Sequence, residues 1–301
     1  MVDEWCERKS KKLCDRDWEK VRENWQAYIP TIHVAGTPSA DEIGEMPNLQ
    51  VELQKVASDN LQLLDTPVLG LRQAILHEGI YLLHKAAHVL GAAQVHIDEG
   101  MCCWSVSTAY QGAFFAMNAV VHFLGIAVVE SGNKTYLVDV WASDRKKKVK
   151  VKDIKTLLAN TKRVEQRHMW YLFQRCLGIT VNANTFWDFG CVDALAQLDH
   201  KDFGRHRNDL HYGPQTWYGV DLHACFIDAA FGVHTGSMTD GSCIQVQNYG
   251  FSLLLGFVLF RMAYRMLAEI GASATAIQEE LKLIAHWLSQ PHSSMYVAAY
   301  P

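Results

Sequence analysis

The sequence predicts a mainly α-helical protein with one inserted β-hairpin and a helical C-terminal extension. Three observations lead there. No proline stands between Pro67 and Pro214, so long helices can run through that span without a break. Apolar residues recur at three- and four-residue spacing over much of the chain. The period changes within 135–152, where TYLVDVW is rich in β-branched and aromatic residues and KVKVK alternates strictly.

Each element follows from its residues. Over 3–28, Trp5, Leu13, Trp18, Val21, Trp25 and Tyr28 stand among many charges, the pattern of a helix with an aromatic packing stripe. Residues 29–47 hold three prolines and two glycines and read as a linker or surface loop. Helical spacing covers 49–62 and 66–91, with Gly91 placed as the C-terminal stop. Residues 103–126 form the most apolar helix. There Ser105, Ser107, Ala109, Gly112, Ala113 and Ala116 alternate with Tyr110, Phe114 and Phe115, a mix that permits close helix–helix approach.

Strands at 135–141 and 148–152, joined by the polar 142–147, make a hairpin with lysines on its wet face. It reads as an insertion between helices, not as part of a larger sheet. Helices are expected again over 153–177, 188–198, 243–270 and 274–289, with a Gly/Ser loop at 232–242. The implied organisation is a helix and linker over 1–47, a helical domain over 48–220 with the hairpin at about 134–153, and a helical extension over 221–301 packed on the same core.

Composition narrows the function classes. The 301 residues are 49% hydrophobic, enough for a sizeable core. A formal net charge of −4 gives no global basic field, so nucleic-acid binding would have to come from local patches. None of the eight cysteines forms a C-x-x-C pair, and adjacent Cys102 and Cys103 do not easily bridge. A reduced, cytoplasmic setting fits this usage. The opening MVDEWCERKSKK has no apolar core of a secretory signal. The longest apolar run, 250–260, is too short for a bilayer and meets Arg261, so no membrane partner is expected.

The chemistry concentrates in 202–217, DFGRHRNDLHYGPQTW, which lacks Ile, Val, Met and Ala. On a helix Arg207 and His211 lie about 40° apart, on one face, whereas Arg205 and His211 are about 120° apart. Asn208 offers both a donor and an acceptor. Arginine is a fixed cationic fork for phosphate. Histidine can take or give a proton near neutral pH. Together they meet the minimum for metal-free RNA cleavage: a base for the ribose 2′-OH and a cation for charge growing on the phosphate oxygens. The plainer alternative is a surface salt-bridge cluster on a helical turn.

This stretch resembles the motif of the HEPN superfamily, all-α domains of prokaryotic toxins, antiviral effectors and nucleotidyltransferase partners. That motif is an Arg, a polar follower and a His after four to six intervening residues. Arg205, His206 and His211 match the spacing. Arg207-Asn208 is more like the favoured dipeptide but stands one residue too close to His211. Arg72–His77 and Arg163–His168 share the spacing but sit among apolar helical neighbours and lack the Asn. The pattern of Ser105, Tyr110, Phe114, Phe115, Val120, Val121, Leu124 and Gly125 is similar to the second helix of many HEPN bundles. The resemblance covers roughly residues 50–220; the hairpin and the C-terminal helices depart from a minimal domain.

The resemblance implies a HEPN-like bundle and a metal-independent endoribonuclease of a toxin or antiviral system. His211 would act as general base or acid, Arg205 or Arg207 would hold the phosphate, and Asn208 would orient one of them. It further implies a homodimer with a composite site, RNA as substrate, no cofactor and no metal. An antitoxin or nucleotidyltransferase partner is also implied, with Tyr212 as a regulatory position. The 103–126 helix or the Trp-rich N-terminus is the expected dimer contact. The alternatives are a non-catalytic HEPN scaffold binding a nucleotide or a partner protein, and a purely structural interaction module.

Two further clusters carry chemistry-bearing side chains. Lys146, Lys147, Lys148, Lys150 and Lys152 could track a phosphate backbone or serve as a solubilising edge device. His77, His84 and His88 fall at helical spacing, but HKAAH has Lys85 where a zinc helix has its Glu, so core or half-buried histidines are expected.

Overall fold

The structure, a computed structural model, describes residues 18–29, 62–64, 70–99, 101–131, 134–141, 148–153, 166–180, 204, 207–208 and 251–271. In chain order these form α1 (Trp18–Tyr28), β1 (Gln62–Leu64), α2 (Leu71–Asp98), α3 (Cys102–Phe123), β2 (Ile126–Ser131), β3 (Lys134–Asp139), β4 (Lys148–Asp153), α4 (Gln166–Thr180) and α5 (Phe251–Ile270). The described chain is thus mainly α. Among the described residues no helix is long and apolar enough to cross a membrane.

Several boundaries differ from the sequence reading. Gly91 does not stop its helix, because α2 continues to Asp98. A Cβ at Gly91 would meet nothing within 4 Å, so this glycine marks neither a cap nor a close approach. The 103–126 helix ends at Phe123. Gly125 follows with φ of 79°, a left-handed conformation that favours glycine, and its N–H donates to His122 O at 2.7 Å. The β-branched run after it becomes β2. At the other end of the sheet, 62–64 is a strand that takes in residue 62, the expected end of a helical stretch; 49–61, 188–198 and 274–289 lie outside the described residues.

The hairpin exists as β3 and β4, but it is not isolated. The sheet has four antiparallel strands in the order β1-β4-β3-β2. The single hairpin insertion is therefore corrected to a sheet whose centre is that hairpin. A short strand of three residues and a strand entered directly from a helix carry too little alternation to announce themselves.

The described residues fall into two compact units. The first holds α1, the sheet, α4, residues 71–81 of α2, 119–123 of α3 and 266–270 of α5. Its core includes Trp18, Val21 and Trp25, so the aromatic stripe read from the sequence is the buried face of α1. Two polar ties fix that helix: Trp18 Nε1 donates to Glu269 Oε2 at 3.0 Å, and Gln26 donates to Glu269 O at 2.8 Å. Trp25 Nε1 donates to Phe123 O at 2.7 Å, satisfying a carbonyl that the end of α3 leaves open. Trp25 also meets Trp141 edge-on at 4.9 Å. Buried Arg72 stacks on Trp141, 4.4 Å from its ring centroid, and donates through Nε and Nη2 to Val140 O. The planar, weakly hydrated guanidinium makes that burial tolerable.

The second unit holds 82–98 of α2, 102–118 of α3, 251–265 of α5 and residues 204 and 207–208. Small residues let its helices approach closely, as the sequence indicated. A Cβ at Gly112 would lie 2.7 Å from Leu90 Cγ, and one at Gly256 would overlap Leu90 Cδ2 and reach 3.4 Å from Ala109 O. Leu90 thus occupies the space that two glycines vacate. Ser105 Oγ donates to Ala93 O at 2.8 Å, a polar tie between α2 and α3.

Candidate functional site

α3 supplies the base of the site. Its apolar face buries Ala109, Tyr110 and Ala113, and Tyr110 is only 3% exposed. The helical turn bearing Arg207 lies against this tyrosine. The Arg207 guanidinium carbon is 5.7 Å from the Tyr110 ring centroid. A Cβ at Gly204 would stand 3.4 Å from the Tyr110 hydroxyl. Positions 204 and 207 thus both come close to the same ring.

Arg207 is half-buried and Asn208 is exposed. Arg207 Nη1 donates to Asn208 Oδ1 at 3.3 Å, on the exposed side. Its Nε is buried and has no hydrogen-bond partner among the described residues. The fork therefore runs from a covered edge at Nε to a wet end beside Asn208. Chemically it can present a permanent cation with spare donors to an anion at the surface.

Arg207 and Asn208 are adjacent and hydrogen-bonded. Arg205, His211 and Tyr212 lie outside the described residues, as do Lys146 and Lys147. Lys148, Lys150 and Lys152 alternate along β4, with Lys150 paired opposite both Gln62 and Asp139, and Lys152 opposite Leu137. β4 is an internal strand, paired on both sides, so the reading of these lysines as an edge device is corrected. Asp139 and Leu137 are buried, so the wet face expected for the hairpin does not extend across β3.

The histidines of α2 divide by exposure: His77 is buried, His84 half-buried and His88 exposed. Burial holds His77 below the ordinary imidazole range. Lys85, in the position of a zinc helix's Glu, places its ammonium 4.4 Å from the Phe115 ring centroid. Among the described residues no three His, Cys, Asp or Glu side chains gather in a way that could hold a metal.

Among the described residues of the two expected dimer contacts, several apolar side chains are buried within the chain, while Trp104 of α3 is exposed. Trp18, Val21 and Trp25 of α1, and Ala109, Tyr110, Ala113 and Met117 of α3, are buried within the single chain. The large apolar side chains left exposed among the described residues are Tyr81, Met101 and Trp104. Tyr110 is the contributor that sequence reasoning missed. The available signal was a lone phenol in an apolar, small-residue helix, where a buried hydroxyl needs a polar neighbour.

No protein-family model, curated protein or solved structure matches the chain.

Proposed function

We propose that the protein is a metal-independent endoribonuclease of a toxin or antiviral defence system, with a HEPN-like catalytic stretch. The observation that carries this reading is Arg207, seated on Tyr110 and bonded to exposed Asn208, four residues before His211 in DFGRHRNDLHYG. In the proposed reaction a ribose 2′-OH loses its proton to His211 and its oxygen attacks the adjacent phosphorus. The bond from phosphorus to the 5′ oxygen breaks, and that oxygen takes up a proton. The products are a 2′,3′-cyclic phosphate and a 5′-hydroxyl. Arg207 balances charge growing on the non-bridging oxygens; Arg205 is the other arginine that the motif allows for this task. RNA is the substrate, and a homodimer completes the site through surfaces other than the buried faces of α1 and α3.

The test is incubation of the purified protein with RNA in EDTA. Cleavage that persists in EDTA and disappears in His211→Ala is the expected result. The competing reading is a non-catalytic scaffold that binds a nucleotide or a partner protein through the same stretch. The Arg207–Asn208 hydrogen bond favours it to the extent that part of the fork is already engaged. Nucleotide or RNA binding without cleavage would select the scaffold.

A further inference from the structure

We propose that Tyr110 is the positioning residue of Arg207, a fixed platform that sets the fork before an anion arrives. What the fork then binds rests on the ribonuclease reading; the positioning rests on the geometry. Tyr110 is buried on α3 and touches the polar stretch at two points, the turn at Gly204 and the guanidinium of Arg207. A free arginine side chain samples many rotamers, and binding an anion would have to freeze them. Stacking against an immobile ring removes much of that freedom in advance, and an electrostatic site works best when its charge is already in place. The division of Arg207 into a covered Nε and a wet Nη1 fits this role. Nε is covered and the guanidinium carbon lies over the ring, which leaves the exposed Nη1 end, beside Asn208, for the ligand.

Tyr110 would act through its face, so Tyr110→Phe should keep the function, whereas Tyr110→Leu, of comparable bulk but without the ring, should lose it.

The test has two arms on the full chain. In the first, arginine is labelled with nitrogen-15 and the Arg207 Nε–H resonance is assigned by its loss in Arg207→Lys. It should be shifted upfield by the ring, keep that shift in Tyr110→Phe and lose it in Tyr110→Leu. In the second, RNA affinity is measured in EDTA. Tyr110→Leu should weaken it about 5- to 30-fold, the size of a partly desolvated cation–π contact. Tyr110→Phe should stay within about twofold, and Tyr110→Leu should add nothing in an Arg207→Ala background.

An Arg207 resonance unaffected by Tyr110→Leu would overturn the positioning, as would an RNA affinity that Tyr110→Leu leaves unchanged. If the wild type neither binds nor cleaves RNA, the ribonuclease reading falls while the resonance still decides the role of Tyr110. Should Tyr110→Leu not fold, the wild-type shift decides alone, because an Arg207 Nε–H at the value of a free arginine excludes the stack.

Discussion

Replacing Gly125 by alanine should be among the most damaging single-methyl additions in the chain. The residue has φ of 79°, a conformation that costs an L-residue about 1–2 kcal/mol. The added Cβ would overlap Trp141 Cδ1, and it would lie 2.8 Å from Trp141 Nε1 and 3.0 Å from Val140 Cγ2. Relief of that overlap is resisted, because Trp141 is wedged between Trp25 and the Arg72 guanidinium. Overpacking of this kind costs about 1–3 kcal/mol. The expected loss is therefore about 2–5 kcal/mol, read as a fall in thermal midpoint on the order of 5–10 °C. Gly271→Ala isolates the backbone part: φ is 77° but nothing lies within 4 Å, so about 1 kcal/mol should be lost. Gly91→Ala lies inside α2 with open space around it and should stabilise by about 0.5–1 kcal/mol. Differential scanning calorimetry of the three variants measures the series. Equal midpoints for Gly125→Ala and Gly271→Ala would refute the packing around Trp141.

Two other perturbations follow from the same unit. Arg72→Lys keeps the charge but loses the planar stack on Trp141 and the paired donation to Val140 O, so chemical denaturation should show a loss of about 2–3 kcal/mol; near-wild-type stability would mean that the guanidinium is not packed there. His77 is buried with neither ring nitrogen hydrogen-bonded among the described residues, and burial lowers its pKa from 6.5. As pH falls below 6.5 the unfolded chain takes up a proton that the folded chain refuses, so stability declines until the lower folded value is reached. His77→Phe should flatten that part of the profile in urea melts run from about pH 8 to about pH 5; an unchanged slope would assign the titration to another group.

Much of the helical architecture was legible because burial on one face writes itself into spacing. Trp18, Val21 and Trp25 fall at positions that share a helix face, and all three are buried. The small residues of α3 likewise announced close approach, and Gly112 meets Leu90 as that pattern requires. The sheet was half legible. β3 and β4 carry β-branched residues and alternation, but β1 has three residues and β2 follows α3 after a two-residue turn. The glycine at 125 followed by IAVVES was the missed signal, since an apolar run alone does not distinguish helix from strand. Gly91 misled for the opposite reason. Long tertiary packing on both sides of it outweighs the roughly 1 kcal/mol that glycine costs a helix.

The candidate site was legible as charge and hydrogen-bonding chemistry and illegible as support. Arg207 and Asn208 stand out in the sequence because a polar run without aliphatic β-branched residues needs a reason. Tyr110 does not, because an aromatic residue in an apolar helix is ordinarily packing. Its role depends on a contact across 97 positions, which no local period encodes. The lysines of β4 show the converse. Their alternation is plain, yet only the pairing of β4 with both β1 and β3 reveals that the strand is internal.

The most direct measurement is cleavage in EDTA of an RNA oligonucleotide beside the same sequence with 2′-O-methyl riboses, by wild type and by Arg207→Ala. A cationic fork and an imidazole acting on one phosphodiester predict that only the RNA is cut, with cyclic-phosphate ends, and that Arg207→Ala slows the cut by about 100-fold or more. Cutting of the methylated strand, dependence on added metal, or undiminished cutting by Arg207→Ala would contradict it.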